Sequence, residues 1–392
     1  MATSDERLLG GYSGRLFVVL TLAFFAITLG RRLLPPLLPI IIDDLGISSF
    51  AAGVALSAFT VVRATAQYPG GRYADTLSRT TVVAASLLLG VLGFATLATT
   101  ASYPHLVVGV AVIGAASGLF VPANRALLAD LFVANRGRAF GINMSASDVT
   151  GIVAAGGAVV VVANASWEAA FLVAAPVLLA VLVAFLWTSR ESVALERVGL
   201  GVGDTLGRLF GESRLRLVVA AYALRSFTTS AVTNFLPVFL IATQGFSFEF
   251  ASAAYAIRFV IGMGMKPLSG ALGDRYSRPG LALGSIAVTV VGIATLVLAP
   301  SGSVALAGVV LYAAGQKSFG APMQAYLMDS FEDGSMGGDL GATRTIYMGV
   351  GSAGPAFVGL LASTANYRVA YASTLVLLAA AGAIVVWLEW TE

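Results

Sequence analysis

The chain alternates between long apolar runs and short polar stretches, and twelve of the runs have about the length of a membrane span. A helix of about 20 apolar residues crosses the roughly 30 Å hydrocarbon layer. The runs lack the alternating pattern of spanning strands, and a backbone in lipid must satisfy its hydrogen bonds internally. We therefore predict an all-α integral membrane protein with twelve transmembrane helices. The predicted spans cover about residues 15–41, 49–70, 80–100, 105–131, 138–163, 168–188, 215–243, 248–269, 279–299, 303–330, 341–364 and 368–388.

The composition excludes the common soluble classes. Of 392 residues, 58% are hydrophobic and 11% charged, whereas a soluble domain carries roughly a quarter charged residues. We expect no nucleic-acid partner, because the basic residues are too dilute. The chain has no cysteine and a single histidine, His105, so we expect neither a metal centre nor a cofactor. No nucleophile–base constellation is apparent, and we expect the protein not to be an enzyme.

The basic loop residues predict the orientation in the membrane. Twelve spans place both termini on one side, and fourteen arginines lie on that side, whereas the opposite loops hold only Arg368. Because basic loops stay inside, we expect a multi-pass inner (plasma) membrane protein with both termini cytoplasmic. The fourteen are Arg7, Arg15, Arg72, Arg79, Arg136, Arg138, Arg190, Arg197, Arg208, Arg214, Arg216, Arg275, Arg278 and Arg344.

An internal repeat divides the spans into two sets of six. Four features recur in order with offsets of 198 to 200 residues. They are Pro39 with Pro237, Gly71 with Gly270, Pro122 with Pro322, and Trp167 with Tyr367. We predict two pseudo-symmetric six-helix halves, residues 1–188 and 215–392, joined by a cytoplasmic linker at 189–214. Such repeats place a substrate site near mid-membrane between the halves, with alternating access.

The loops after spans 2 and 8 carry a recognisable motif. Gly71-x-x-x-Asp75-x-x-x-Arg79 and Gly270-x-x-x-Asp274-Arg275-x-x-Arg278 resemble the loop motif of major facilitator superfamily transporters, Gly-x-x-x-Asp-Arg/Lys-x-Gly-Arg/Lys. The first copy lacks the basic residue after the aspartate, and both have serine for the second glycine. Physically, Gly71 would permit close helix approach, and Asp75 would cap or pair with a neighbouring helix end as a conformational latch. The alternative is a solvated tight turn.

Span 11 contains a second glycine pattern. Gly349, Gly351, Gly354, Pro355 and Gly359 resemble a glycine–proline motif that antiporters of the family carry on span 5. Span 5 of this chain has no proline, which lowers the expectation of a drug/proton antiporter. The alternative for these glycines is simple helix packing.

Eight basic residues lie inside the predicted spans, against one acid well inside a span, Asp148. They are Arg31, Arg32, Arg63, Arg125, Arg225, Arg258, Lys266 and Lys317. Facing lipid, they would cost on the order of 20 kcal/mol, so most must face a watery cavity or a partner. Arg125 and Lys266 lie near cytoplasmic ends, where long side chains snorkel. An excess of buried positive charge attracts anions, and inter-helix salt bridges are the alternative.

Resemblance to particular branches of the family helps to choose among these cations. Arg31 lies eight residues before Pro39, like the substrate-binding arginine of organic-phosphate and anion–cation symporters, so we favour Arg31 over Arg32. Arg63 and Arg258 are similar to the arginine pair of the nitrate/nitrite branch. The substrate-binding candidates are Arg31, Arg63, Arg258, Lys317, Arg225, Arg32, Gln67 and Asn234.

Asp148 has two interpretations. It carries a coupling proton, or it is a permanently ionised counter-charge, with Arg125 on the adjacent span 4 as its partner.

The leading hypothesis is a monomeric secondary transporter of a small anion, an organic carboxylate or phosphate ester. It works by symport with a proton or sodium ion, or by antiport. One alternative is a multidrug or lipophilic-compound exporter. The other, from a different class, is a transport-dead sensor or assembly factor on the same fold.

Overall fold

The structure is a computed structural model, and it describes residues 8–76, 78–133, 135–189, 213–329 and 336–390. These residues form α-helices joined by short loops, and no strand occurs among them. The prediction of an all-α membrane protein built from two halves is confirmed. The helices are α1 (Gly11–Asp44), α2 (Ser49–Thr76), α3 (Arg79–Ala98), α4 (Tyr103–Leu131), α5 (Arg136–Asn164), α6 (Ala169–Thr188), α7 (Ser213–Gln244), α8 (Phe248–Gly273), α9 (Arg278–Leu298), α10 (Gly302–Ser318), α11 (Gly320–Asp329), α12 (Met336–Gly351), α13 (Ala353–Thr364) and α14 (Tyr367–Trp390).

Two of the predicted spans are broken helices. Span 10 consists of α10 and α11, and span 11 consists of α12 and α13. Each break falls four residues before a proline, since α10 ends at Ser318 before Pro322 and α12 ends at Gly351 before Pro355. A proline ring clashes with the carbonyl four residues earlier and provides no N–H. Proline alone is not sufficient, because Pro122 lies inside the unbroken helix α4.

Eleven helices in the described part of the chain are long and apolar enough to cross a membrane, with residues 342–364 taken as one. Aromatic side chains lie at the ends of two of them. Trp187 at the end of α6 is 87% exposed, and Trp390 at the end of α14 is 85% exposed. Trp387, 200 residues after Trp187, is also exposed. Tryptophan is enriched at membrane–water interfaces, which fits the end of the last span in each half.

The chain forms two compact units, Met1–Leu34 with Ala58–Leu200 and Pro35–Ser57 with Gly201–Glu392. In the first unit, α3 packs against α4 and α6. In the second, α9 packs against α10 and α14, while α7 packs against α12 and α14. The boundaries 1–188, 189–214 and 215–392 stay a prediction, and residues 190–212 of the linker lie outside the described residues.

The second unit includes the end of α1 and the start of α2, and the start of α2 packs on α13 and on the start of α14. The Oγ atom of Ser49 lies 2.6 Å from the hydroxyl oxygen of Tyr367. The backbone N–H of Ala356 donates a 3.1 Å hydrogen bond to Oγ of Ser57. Gly53 lies against the Pro355 carbonyl so closely that a side chain there would clash. These contacts explain why Pro35–Ser57 clusters with the C-terminal helices.

Candidate functional site

Arg258 lies in a box of aromatic rings in the second unit. It is 2% exposed, and its Cζ atom lies 5.3 Å from the ring centroid of Tyr255, 5.7 Å from that of Phe259 and 5.6 Å from that of Tyr312. Tyr255 and Phe259 flank Arg258 on α8, and Tyr312 comes from α10. Aromatic faces carry negative charge density that stabilises a cation by about 0.5–2 kcal/mol per contact.

The hydrogen-bonding groups around Arg258 satisfy only part of its guanidinium. The Nη2 atom donates a 2.9 Å hydrogen bond to Oγ1 of Thr233, whose oxygen lies 2.8 Å from the Tyr312 hydroxyl. The Nε and Nη1 atoms are buried and have no hydrogen-bond partner among the described residues, and no carboxylate there lies within 4 Å. A buried cation without a counter-charge is costly, so an anion that reached these two donors would be bound strongly.

Lys317 brings a second positive charge to the same aromatic ring. Its Nζ atom lies 5.1 Å from the ring centroid of Phe259. The end of the lysine side chain lies against Gly262, where a Cβ atom would meet Cδ and Cε at 3.1 Å and Nζ at 3.3 Å. Arg258 and Lys317 therefore form a pair of cations around one buried ring. We call Arg258 and Lys317, the two cations that contact the Phe259 ring on α8, the α8 cation pair.

Arg225 is engaged with the backbone at the break in span 10. The guanidinium donates to Oγ1 of Thr229 (2.6 Å) and to the carbonyl oxygens of Gln316 (2.9 Å) and Gly315 (3.4 Å). Its Cζ atom lies 5.0 Å from the ring centroid of Phe319. A cation at the C-terminal end of a helix satisfies free carbonyls and opposes the helix dipole. These contacts favour a structural role for Arg225.

The other candidates of the second unit are placed differently. The side-chain amide of Asn234 donates a 2.7 Å hydrogen bond to the Ser230 carbonyl within its own helix. Lys266 is exposed near the end of α8. Arg344, which the sequence analysis assigned to the cytoplasmic loops, lies inside α12 instead, with its Nε atom buried. Arg344 was counted with the loops because it lies only three residues after the start of the predicted span 341–364, and span length and hydropathy do not locate a helix end that closely.

In the first unit, α1 brings Arg32 to α5. The Nη2 atom of Arg32 donates a 3.2 Å hydrogen bond to Oγ of Ser147. Ser147 precedes Asp148 in the chain, and Asp148 is 3% exposed. Arg31, Arg63 and Gln67 are half-buried in the same unit.

Arg125 also contacts α5, where its Nη2 atom lies 3.8 Å from Sδ of Met144. Met144 is one helical turn before Asp148, so Arg125 reaches the Asp148 face of α5. The two interpretations of Asp148 stay predictions.

A buried polar ladder that the sequence analysis missed joins α1, α4 and α5. The amide of Asn124 donates to Oδ1 of Asn143 over 3.0 Å, and the amide of Asn143 donates to Oγ1 of Thr21 over 3.4 Å. Asn124 and Asn143 are 1% and 3% exposed. Inter-helix hydrogen bonds of this kind hold membrane helices together. The signal in the sequence was asparagine within apolar spans.

The two loop motifs end in equivalent ion pairs. Arg79 pairs with Asp130, and Arg278 pairs with Asp329. The two arginines are 199 residues apart in the chain, and so are the two aspartates. The serines that replace the second glycine also have a role. Ser78 and Ser277 are N-caps of α3 and α9, and accept hydrogen bonds from the N–H groups of Thr81 (3.4 Å) and Gly280 (3.0 Å). Both motifs are thus followed by a helix whose first turn is capped by the motif serine.

The expectation that Gly71 permits a close approach between helices is corrected by the structure. A Cβ atom at Gly71 would lie an ordinary 3.8 Å from Cβ of Pro122, whereas one at the preceding Gly70 would lie 2.9 Å from Cα of Leu119. The close approach to α4 is therefore made at Gly70, because helical rotation turns that position towards the neighbour.

The second copy of the motif behaves in the same way. Gly273 lies closer to α11 than Gly270 does, since a Cβ atom would meet Pro322 at 3.2 Å. Asp274 ends α8 as its C-cap, and Arg275 is exposed beyond it. In the first copy, the side chain of Asp75 lies outside the described residues.

Three of the four motif glycines of span 11 pack against other helices of the second unit, whereas a Cβ atom at Gly349 would have no atom within 4 Å. Gly351 lies against Ser226 and Gly354 against Phe227 of α7, while Gly359 lies against Ser49. These contacts support the packing interpretation of the motif.

Comparison with known proteins decides the family. The sequence profile described as Major Facilitator Superfamily matches residues 20–355 and 218–392. The chain belongs to the major facilitator superfamily. Members of this superfamily are transporters, so the expectations of a transporter and of a protein that is not an enzyme are confirmed.

The chain is also similar to individual transporters. It is 29% identical over 302 residues to a probable sulfoacetate transporter, SauU, of Cupriavidus necator, which covers 70% of this chain and 69% of that protein. Its fold is similar to that of a bacterial homologue of the human lysosomal transporter Spinster in an inward-facing, unoccupied conformation. That structure has a TM-score of 0.81 at 16% identity, covering 97% of this chain and 98% of that chain.

A nucleoside transporter, NupG, is also similar in structure. The crystal structure of a mutant of that transporter has a TM-score of 0.81 at 14% identity, covering 96% of this chain and 100% of that chain. At these identities, the two solved structures show a shared fold alone.

Proposed function

We propose that the protein transports a small organic anion across the inner membrane by alternating access. The observation that carries this proposal is Arg258, a buried guanidinium with two donors that the described residues leave without a partner. Arginine binds carboxylate and related oxyanions through two parallel hydrogen bonds and stays charged. Lys317, at the same ring, adds a second charge for the anion.

Similarity to the probable sulfoacetate transporter supports an organic acid as substrate. Sulfoacetate carries a sulfonate and a carboxylate, and both groups accept hydrogen bonds from a guanidinium. We therefore favour a short carboxylate or sulfonate over a phosphate ester or nitrate. Because Arg258 is 2% exposed, substrate binding draws its guanidinium out of the aromatic box or opens the box.

The remaining candidates form a second set of cations in the first unit. Arg31, Arg32 and Arg63 contribute positive charge there, and Gln67 contributes a neutral hydrogen-bonding group. Asp148 is either the carrier of a coupling proton or the counter-charge of nearby arginines. Transport is coupled to a proton or sodium ion, or one anion is exchanged for another. The protein works as a monomer, and both of its termini are cytoplasmic.

The loop ion pairs act as the proposed conformational latch. Arg79 with Asp130 and Arg278 with Asp329 are partly exposed, with aspartate side chains 54% and 68% exposed. Exposed pairs contribute only about 0–1 kcal/mol. Such pairs are weak enough to break and re-form during each transport cycle.

Thermal stabilisation of the purified protein by anions tests the proposal. Sulfoacetate and small carboxylates are expected to raise the unfolding temperature, and Arg258→Gln to raise the half-saturating concentration at least about tenfold. Lys266→Gln removes an exposed cation from the same helix and serves as the matched control. Stabilisation by hydrophobic cations alone would instead identify a lipophilic-compound exporter. Binding without uptake into liposomes would favour a sensor or assembly factor.

A further inference from the structure

Two hydroxyl groups and the Arg258 guanidinium form a short chain of hydrogen bonds. The Nη2 atom of Arg258 donates to Oγ1 of Thr233 over 2.9 Å, and that oxygen lies 2.8 Å from the hydroxyl oxygen of Tyr312. The three side chains come from α8, α7 and α10. Neither hydroxyl has another hydrogen-bond partner in the described part of the chain. The donors and acceptors around these two oxygens can therefore be counted completely.

This chain of hydrogen bonds has more protons than acceptors. Each hydroxyl carries one proton, and only one of the two protons can lie in the bond between Thr233 and Tyr312. The guanidinium of Arg258 can only donate. Whichever hydroxyl donates, the other keeps a proton for which the described residues provide no acceptor. The Nε and Nη1 atoms of Arg258 are buried in the same condition, so three donor groups here lack an acceptor.

The charge of Arg258 favours one direction for the bond between the hydroxyls. A hydroxyl that accepts from a cation becomes a stronger donor, because hydrogen bonds in a chain polarise one another. Thr233 therefore donates to Tyr312, and the unused proton is that of the Tyr312 hydroxyl. Tyr312 is 0% exposed, and a buried donor without an acceptor is costly. An acceptor that entered at this point would satisfy the tyrosine and the guanidinium together.

We propose that Tyr312 is a substrate-binding residue, whose hydroxyl donates a hydrogen bond to the same oxyanion that Arg258 binds. The proposal rests on the anion-transport function proposed above. Tyr312 is one wall of the aromatic box around Arg258, so opening the box brings both groups to the substrate.

The surplus of donors also selects the kind of oxyanion. Because the three groups need acceptors, they are best satisfied by an acid group that carries no proton of its own. Carboxylate and sulfonate groups meet this requirement. A phosphonate that keeps one proton brings a further donor to a site that already lacks acceptors, and a donor left unpaired is costly.

Tyr371 provides a matched tyrosine in the same unit. It is also 0% exposed, but its hydroxyl donates a 2.8 Å hydrogen bond to the carbonyl oxygen of Val232, the residue before Thr233. The proton of the Tyr371 hydroxyl is therefore already used, whereas that of Tyr312 is not. Removal of the Tyr371 hydroxyl should weaken folding and spare anion binding, while removal of the Tyr312 hydroxyl should weaken anion binding.

The first experiment compares the two tyrosines by thermal stabilisation of the purified protein with sulfoacetate. Half-saturating concentrations are measured for the unmodified protein, Tyr312→Phe and Tyr371→Phe. We expect Tyr312→Phe to raise this concentration about tenfold, the effect of losing one hydrogen bond to a charged group. Tyr371→Phe should leave it unchanged.

A second experiment uses the unmodified protein and two anions of the same shape. Sulfoacetate is compared with phosphonoacetate at a pH at which the phosphonate keeps one proton, so that both anions carry the same charge. The anions then differ by one hydroxyl proton. Sulfoacetate should bind at least about tenfold more tightly, because the extra proton finds no acceptor at the site.

The outcomes separate this inference from the proposed function. If sulfoacetate stabilises the unmodified protein and Tyr312→Phe equally well, or if Tyr371→Phe weakens binding as much as Tyr312→Phe does, the role of Tyr312 is wrong and anion transport stands. If neither sulfoacetate nor small carboxylates stabilise the unmodified protein, anion transport itself is wrong and the role of Tyr312 falls with it. The comparison of anions decides the matter if Tyr312→Phe does not fold, because equal affinity for sulfoacetate and phosphonoacetate overturns the inference.

Discussion

The Nη2 atom of Arg258 donates a 2.9 Å hydrogen bond to Oγ1 of Thr233. This bond links α8 to α7 and supplies the one hydrogen-bonding side chain that the described residues provide to the guanidinium. The same threonine oxygen lies 2.8 Å from the hydroxyl of Tyr312 on α10. Thr233 therefore holds together three helices that surround the α8 cation pair.

Thr233→Val is expected to lower the unfolding temperature, since it leaves a third donor of a buried guanidinium without a partner. The cost should be about 1–3 kcal/mol. Thr228→Val is the matched control, because Thr228 lies on the same helix, is fully buried, and has no hydrogen-bond partner for its Oγ1 among the described residues. Thermal unfolding of both variants checks the prediction, and equal destabilisation would contradict it.

Gly70→Ala is expected to destabilise the protein by about 1–3 kcal/mol, the usual cost of overpacking. A Cβ atom at Gly70 would lie 2.9 Å from Cα of Leu119, and backbone atoms do not move aside easily. Gly71→Ala should be tolerated, because its Cβ would meet Pro122 at 3.8 Å. Unfolding temperatures of the two variants provide the comparison, and the reverse order would show that the approach of α2 to α4 is incorrectly placed.

Ser78→Ala should cost about 1 kcal/mol through loss of the N-cap of α3. Ser277→Ala should cost at least as much, because Oγ of Ser277 also donates a 2.9 Å hydrogen bond to Glu389. Ser102→Ala is the control, since Ser102 occupies the N-cap of α4 without a side-chain capping bond. Denaturation measurements that find Ser102→Ala as harmful as the other two would refute the capping role.

Arg79→Ala is expected to slow transport several-fold while changing the unfolding temperature little, if the pair with Asp130 is a latch. An exposed pair contributes at most about 1 kcal/mol to stability. The charge-reversed double variant Arg79→Asp with Asp130→Arg should restore part of the rate. Initial uptake rates in liposomes measure the effect. A single variant with full transport activity would leave the ion pair as a surface contact without a role in the cycle.

The sequence predicted the membrane class from signals within single spans. It predicted the repeat from motifs that recur at a nearly constant offset along the chain. Span length and apolar composition determine that a segment crosses the bilayer, because lipid requires about 20 apolar residues with internal hydrogen bonds. The 199-residue offset of the loop motifs likewise placed Arg79 and Arg278 at equivalent positions, and each proved to pair with an aspartate at the end of a neighbouring helix. The sequence did not predict the helix breaks before Pro322 and Pro355. A proline does not by itself decide whether a helix breaks, because Pro122 lies inside an unbroken helix.

The sequence alone identified eight intramembrane cations and missed Arg344, whereas the roles of the cations were decided by tertiary contacts. Arg225 and Arg258 are chemically identical and both buried, yet Arg225 reaches the free carbonyls of a broken helix and Arg258 reaches aromatic rings. The local sequence does not reveal these roles in full, because Tyr312, Gly315 and Gln316 lie on α10, as many as 91 residues away in sequence. A span carries the energetic cost of its charge wherever it packs, but only packing against other helices decides which group compensates that cost.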